Sequence, residues 1–71
     1  MQYEFKLKQK LDISHEWEER YLCVCGEQQF EFVNKRYNEF IESQKKQDSR
    51  FEYILLVNQL DDNGDFVRVI Q

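Results

Sequence analysis

Few side chains in this 71-residue chain have the type and spacing that chemistry requires. Cys23 and Cys25 lie two positions apart, and the only histidine is His15. On a strand the two thiols point to the same face but stand about 6–7 Å apart, too far for a disulfide with each other. A structural zinc site needs four ligands, and two thiols with one imidazole do not provide them. We therefore interpret both cysteines as small buried apolar residues.

The other candidates for catalysis or metal binding are equally sparse. Ser14 adjoins His15 in sequence, which is the wrong relationship for a nucleophile and its base on a strand. Residues 61–65 are Asp-Asp-Asn-Gly-Asp, but they lack the alternating oxygen ligands and the Glu at position twelve of a calcium loop. Their Asn-Gly pair is typical of a tight hairpin turn. The sequence therefore predicts no enzyme, no cofactor and no metal site.

Residues 12–20 are the strongest candidate for a binding surface. Four acids surround the only tryptophan of the chain. Tryptophan is frequent among the residues that dominate binding energy, and charged neighbours steer association. The predicted partner-binding residues are Asp12, Glu16, Trp17, Glu18 and Glu19. The competing interpretation is that the tryptophan caps the core while the acids are merely solvated.

A row of lysines supplies the alternative binding surface. Lys6, Lys8 and Lys10 alternate along one strand. Single-stranded nucleic acid would require aromatic side chains on the same face, whereas Tyr3 and Phe5 fall on the opposite one. The net charge of −4 also lacks the basic footprint of a nucleic-acid-binding protein. We interpret the row as the solvated, lysine-protected face of an edge strand.

Hydrophobic periodicity predicts a single α+β domain spanning residues 1–71. Residues 2–11 alternate as a half-buried strand. Residues 17–25 end in YLCVC, which is apolar on both faces and typical of an interior strand. Residues 51–60 and 66–70 are β-rich runs on either side of the Asn-Gly turn. We expect a small antiparallel sheet of four to five strands with one helix packed on one face.

The segment at residues 26–33 allows two interpretations. A helix that begins at Gly26 would place Phe32 on its wet side. Alternatively, residues 26–29 form a turn, residues 30–33 form a short strand, and Asn34 caps a helix from Lys35 to about Lys46. We prefer the second because it gives Phe32 a place inside, so the expected order is βββαββ, with ββαββ as the alternative.

The same periodicity predicts the core and a self-association. The predicted core residues are Phe5, Leu7, Leu22, Val24, Tyr37, Phe40, Ile41, Leu55, Val57 and Val67. The strand at residues 51–60 is apolar on both sides, so the sheet face away from the helix also needs a cover. Either the N-terminal segment folds over this face or a second copy covers it through an isologous contact. Small chains have marginal cores and often oligomerise, so of the two we expect a homodimer.

These observations together predict a small, acidic, non-enzymatic protein-binding module. It would act as an inhibitor or adaptor that occludes a basic surface of a partner protein, such as a nucleic-acid-binding machine. In size, acidity and lack of catalytic residues the chain resembles phage-encoded inhibitors as a class, including anti-CRISPR proteins, although no shared motif carries residue roles across. The alternatives are a small nucleic-acid-binding protein that uses the lysine row and a structural oligomer subunit.

The expected location is the cytoplasm, that of a host cell if the gene belongs to a phage. Residues 1–10 contain no signal-peptide core. No apolar run approaches the length that a bilayer requires, so we expect no membrane contact.

Overall fold

The computed structural model describes residues 1–71 and contains one four-stranded antiparallel sheet with one helix. The elements are β1 (Gln2–Leu11), β2 (Glu18–Gly26), α1 (Phe30–Gln47), β3 (Phe51–Leu60) and β4 (Phe66–Val69), with a short 3-10 turn (Glu27–Gln29) before α1. The predicted α+β class is confirmed. Of the two element orders, the structure adopts ββαββ. No helix combines the length and the apolar character needed to cross a membrane.

The order of strands across the sheet is β2-β1-β3-β4, which corrects two predictions. β1 pairs with β2 on one side and with β3 on the other, so the lysine-bearing strand is interior. β2, which contains YLCVC, was expected to be interior but forms an edge. β1 was mistaken for an edge because an interior strand with one solvated face shows the same alternation of polar and apolar residues as an edge strand.

The helix begins earlier than predicted. The segment expected as a separate strand, residues 30–33, is the first turn of α1. The ring of Phe30 packs against Tyr3 and Phe5 of β1, with centroid distances of 4.6 and 5.4 Å. Phe32 is left 67% exposed. The packing of Phe30 onto the sheet therefore outweighs the exposure of Phe32. The preferred βββαββ order is wrong.

The core lies between α1 and the sheet. Phe5, Leu7 and Val57 are fully buried, as predicted, and Leu60 is nearly so. The rings of Phe5 and Tyr37 stack at 5.6 Å, which ties the centre of the helix to the central strand. The predicted core residues Tyr37, Phe40, Ile41 and Leu55 are only partly buried.

Three predicted core residues lie at the surface. Leu22, Val24 and Val67 are 60%, 51% and 45% exposed. Leu22 and Val24 stand opposite Lys6 and Glu4 on the sheet face that no helix covers. Val67 falls at a register irregularity in the short β3–β4 pairing.

The predicted turn between β3 and β4 is present. Gly64 has a φ of 86°, a conformation that glycine adopts without steric cost. The carboxylate of Asp61 accepts hydrogen bonds from the backbone of Asn63 and Asp65, both at 2.9 Å. This carboxylate therefore organises the turn.

Candidate functional site

The predicted partner-binding residues lie together at one end of the sheet. Asp12 directly follows β1, Glu16 and Trp17 lie in the connection, and Glu18 and Glu19 begin β2. All five are exposed. We call residues 12–19 the acidic hairpin.

Backbone hydrogen bonds give this connection a defined shape. The amide of Asp12 donates to the carbonyl of Arg50 at 2.8 Å, which ties the connection to the segment before β3. The amide of Ser14 donates to the carbonyl of Leu11 at 2.9 Å. The Ser14 hydroxyl accepts a hydrogen bond from the amide of Glu16 at 3.1 Å, an arrangement typical of serine in turns.

Lys10 holds the tryptophan in place. Its side chain is only 15% exposed, and its Nζ lies 2.6 Å from Oε2 of Glu52. The same Nζ donates to the carbonyl of Ser14 at 3.0 Å and lies 5.5 Å from the ring centroid of Trp17. A cation over an indole face is attracted by the ring's electron density. Lys10 therefore links β1, β3 and the acidic hairpin.

Trp17 is 37% exposed, so most of its surface is covered and the rest is open to solvent. The Nζ of Lys10 lies over the ring, and the exposed acids of the hairpin are its neighbours in sequence. Sequence reasoning identified the tryptophan but missed Lys10, which it placed in the lysine row. The register that sets Lys10 opposite Glu52 would have revealed the role, and that register follows only from the strand order.

The lysine row does not form a continuous basic face. Lys6 lies 3.8 Å from the carboxylate of Glu4, and Lys10 is occupied as described. Lys8 makes no ion pair. In the pairing register, Lys6 stands between Leu22 and Leu56, and Lys8 stands between Glu19 and Ile54, so apolar and acidic residues interrupt the basic row.

The groups able to do covalent or metal chemistry remain apart. Cys23 and Cys25 are free and half-buried on the helix side of β2. Burial, with a smaller contribution from Cys23, raises the pKa of the Cys25 thiol, so it stays protonated at neutral pH. His15 is exposed in the turn. No three His, Cys, Asp or Glu side chains are grouped to hold a metal ion.

A shallow groove runs beside β2 on the helix side. It has a volume of about 370 Å³ and is lined by Tyr21, Arg36, Tyr37 and Phe40. Tyr21 and Phe40 meet edge to face at a centroid distance of 5.5 Å. Burial is the main cause that raises the pKa of Tyr37, and the neighbouring Cys23 adds to it, so the phenol is neutral at physiological pH. Sequence reasoning missed this groove because it assigned Tyr21 to an interior strand.

No family model, no curated protein and no solved structure matches the chain.

Proposed function

We propose that this protein is a binding module whose acidic hairpin docks on a basic surface of a partner protein, as an inhibitor or adaptor. One observation carries the proposal: Lys10 contacts a partly exposed Trp17 whose acidic neighbours in sequence are all exposed. In this arrangement Trp17 enters an apolar pocket of the partner, and the acids meet the basic residues around that pocket.

The fixed conformation of the acidic hairpin supports this role. Side chains that are fixed before binding lose less conformational entropy on association. Here the tryptophan is held by a lysine that is itself held by Glu52 and by a backbone carbonyl. Glu16, Glu18 and Glu19 supply long-range attraction, which raises the association rate more than the affinity.

The lysine row gives less support to the nucleic-acid alternative. Lys6 and Lys10 make ion pairs with carboxylates, and the register neighbour of Lys8 on β2 is Glu19, so the row is not a free basic face. If the partner is itself a nucleic-acid-binding machine, the carboxylates of the hairpin occupy positions where phosphates bind. Action in the cytoplasm of a host cell and a phage origin belong to this same proposal.

The test is capture of partners from nuclease-treated lysate on the immobilised protein, with quantification by mass spectrometry. Trp17→Ala removes the anchor, and Phe32→Ala is its control because Phe32 is an exposed aromatic residue far from the hairpin in sequence. The triple change of Glu16, Glu18 and Glu19 to Lys reverses the hairpin charge. The triple change of Glu31, Glu39 and Glu42 to Lys on α1 alters the net charge equally.

We expect a partner with a basic surface that both hairpin variants lose and both controls retain. Loss of a tryptophan anchor worth about 2 kcal/mol weakens affinity roughly 30-fold. Circular dichroism verifies that each variant is folded. A partner held equally by the parent and by both folded hairpin variants would reject the proposal, as would high-affinity binding of single-stranded DNA or RNA that Lys6→Met and Lys8→Met abolish.

A further inference from the structure

β2 presents an unpaired edge of nine residues, Glu18–Gly26. Exposed edges recruit other strands, and proteins commonly guard them with lysine, proline or short length. β2 contains neither lysine nor proline, and its second half is Tyr-Leu-Cys-Val-Cys. The first three residues of this edge are charged and next to a register irregularity, whereas residues 21–25 are apolar and carry no such protection.

The hydrogen bonds around the sheet show which groups of β2 point outward. The amide of Asp12 bonds to Arg50 beside β3, and the amide of Val57 bonds to Gln71 on the side away from β1. In an antiparallel ladder these directions alternate. Phe5, opposite Val57, therefore directs its backbone toward Cys23 of β2.

It follows that the residues beside Cys23 direct their backbone groups away from the sheet. These residues are Leu22 and Val24. Gly26 lies two positions after Val24 and should point the same way. Its amide donates outward to Oε1 of Gln29 at 3.1 Å, which supports this assignment. The amides and carbonyls of Leu22 and Val24 are the free ends that a neighbouring strand would pair with.

We propose that β2 pairs antiparallel with β2 of a second copy, with the twofold axis at Cys23. Leu22 of each copy then faces Val24 of the other. Each of these two residue pairs forms two backbone hydrogen bonds, which makes four across the seam. The two four-stranded sheets become one continuous sheet. An isologous contact of this kind closes on itself and produces a dimer without further assembly.

The distribution of charge along β2 favours a second copy as the occupant. Glu18, Glu19 and Arg20 all lie at one end of the strand. Pairing about Cys23 places the acidic ends of the two strands at opposite ends of the seam. The two Glu18 residues are then ten residues apart along the strands, which is about 34 Å. Arg20, which is left unpaired at the β1–β2 register shift, comes near Gly26 and Glu27 of the second copy, whereas Glu19 comes opposite Glu27, so each end of the seam contains one attractive and one repulsive charge contact.

Side-chain burial on both faces of the seam adds to this fit. On the open face, Leu22 and Val24 are 60% and 51% exposed in one copy and would cover each other in the dimer. On the helix face, Tyr21 comes opposite Cys25 of the second copy, and Tyr21 also lines the groove together with Phe40. The dimer carries two acidic hairpins at its ends, although its formation does not depend on their function.

The first experiment measures molar mass by sedimentation equilibrium from micromolar to millimolar concentration. We expect the parent to reach twice 8.8 kDa. Val24→Pro removes an outward amide without breaking a β1–β2 hydrogen bond, a position at which edge strands tolerate proline, and should sediment as a monomer. Val24→Thr keeps the amide and should still dimerise. If Val24→Pro does not fold, Val24→Lys replaces it as an edge-guarding variant.

The second experiment uses the cysteines as reporters of register. Paired residues without mutual hydrogen bonds have Cα atoms about 4.5 Å apart, within disulfide range. Diamide, as the oxidant, accepts two electrons and two protons while one S–S bond forms. The Cys25→Ser variant, which keeps Cys23, should give a covalent dimer on non-reducing gels. The Cys23→Ser variant should give at least tenfold less, because the two Cys25 residues are about 14 Å apart along the seam.

Two results would overturn the proposal. A parent that remains at 8.8 kDa up to millimolar concentration shows that a second copy does not occupy the edge, which then remains available to a strand of another protein. Equal or faster crosslinking through Cys25 shows that the copies meet in a different arrangement. Both measurements are independent of partner capture, so the dimer and the proposed function can fail separately.

Discussion

Replacement of Lys10 by methionine tests whether this residue holds the acidic hairpin together. Methionine keeps the apolar stem but removes the charge. Three interactions are lost: the ion pair with Glu52, the hydrogen bond to the Ser14 carbonyl, and the contact with the Trp17 ring. The change therefore separates the electrostatic role of Lys10 from its packing.

The size of the effect follows from the exposure of the partners. Glu52 is 54% exposed, so the ion pair falls in the surface range of about 0.2–1 kcal/mol. The cation–π contact contributes about 0.5–1 kcal/mol and the hydrogen bond about 1 kcal/mol. Water partly replaces all three, so we expect Lys10→Met to lower the free energy of unfolding by about 1–2 kcal/mol. A domain of this size has roughly 4–10 kcal/mol in total.

The assay uses the fluorescence of Trp17, the only tryptophan in the chain. Urea unfolding gives the change in stability, and acrylamide quenching in the native state gives the accessibility of the ring. Lys10→Met should raise the quenching constant as well as lower the midpoint. Lys8→Met is the matched control: it removes a lysine of the same strand face that makes no ion pair, and should stay within about 0.5 kcal/mol of the parent.

Equal behaviour of Lys10→Met and Lys8→Met in both measurements would refute the role assigned to Lys10. A loss of stability with unchanged quenching would also count against the account, because it would show that Lys10 stabilises the sheet without holding the tryptophan.

Three further predictions concern the core, a turn and the response to acid. Phe5→Ala should lower the free energy of unfolding by about 3–5 kcal/mol because its ring is fully buried, which far-UV circular dichroism would show as a lower urea midpoint. Gly64→Ala should cost about 1–2 kcal/mol in urea unfolding because of its positive φ, whereas Gly26→Ala, with a negative φ and only an ordinary contact, should cost less. Hydrogen bonds from Arg50 lower the pKa of Asp48 from 3.8 to about 2. This stabilisation is present above pH 4 and disappears as the pH falls toward 2, so Asp48→Asn should flatten that part of a melting-temperature profile.

The sequence predicted the class of the fold because its strongest signals are local. The Asn-Gly turn between β3 and β4 and the alternation in β1 each depend on neighbouring residues alone. The helix start was mispredicted because residues 30–33 satisfy both periodicities. The choice between them depends on the contacts of Phe30 with β1, which are distant in sequence.

The strand order was mispredicted for a related reason. Apolar residues on both faces of YLCVC suggested burial on both sides, but Leu22 and Val24 lie on a face that this chain leaves open. The lysines of β1 suggested an edge, while they line the middle of that same face. Composition along one strand does not reveal what covers the sheet.

Part of the candidate site could be predicted from the sequence. The acids and the tryptophan lie close in sequence, so the acidic hairpin could be identified before its geometry was known. The roles of Lys10 and Glu52 arise from the pairing of β1 with β3 across some forty residues of chain, and no local pattern carries that information.

The central claim is that the acidic hairpin is the surface that meets a partner, and its most direct test is an NMR footprint. The ¹⁵N-labelled protein is titrated with the captured partner, and signal changes are followed for every backbone amide and for the Trp17 indole. We expect the largest changes on residues 12–20 and on that indole. Changes confined to the lysine face of β1, with the indole signal unmoved, would contradict it.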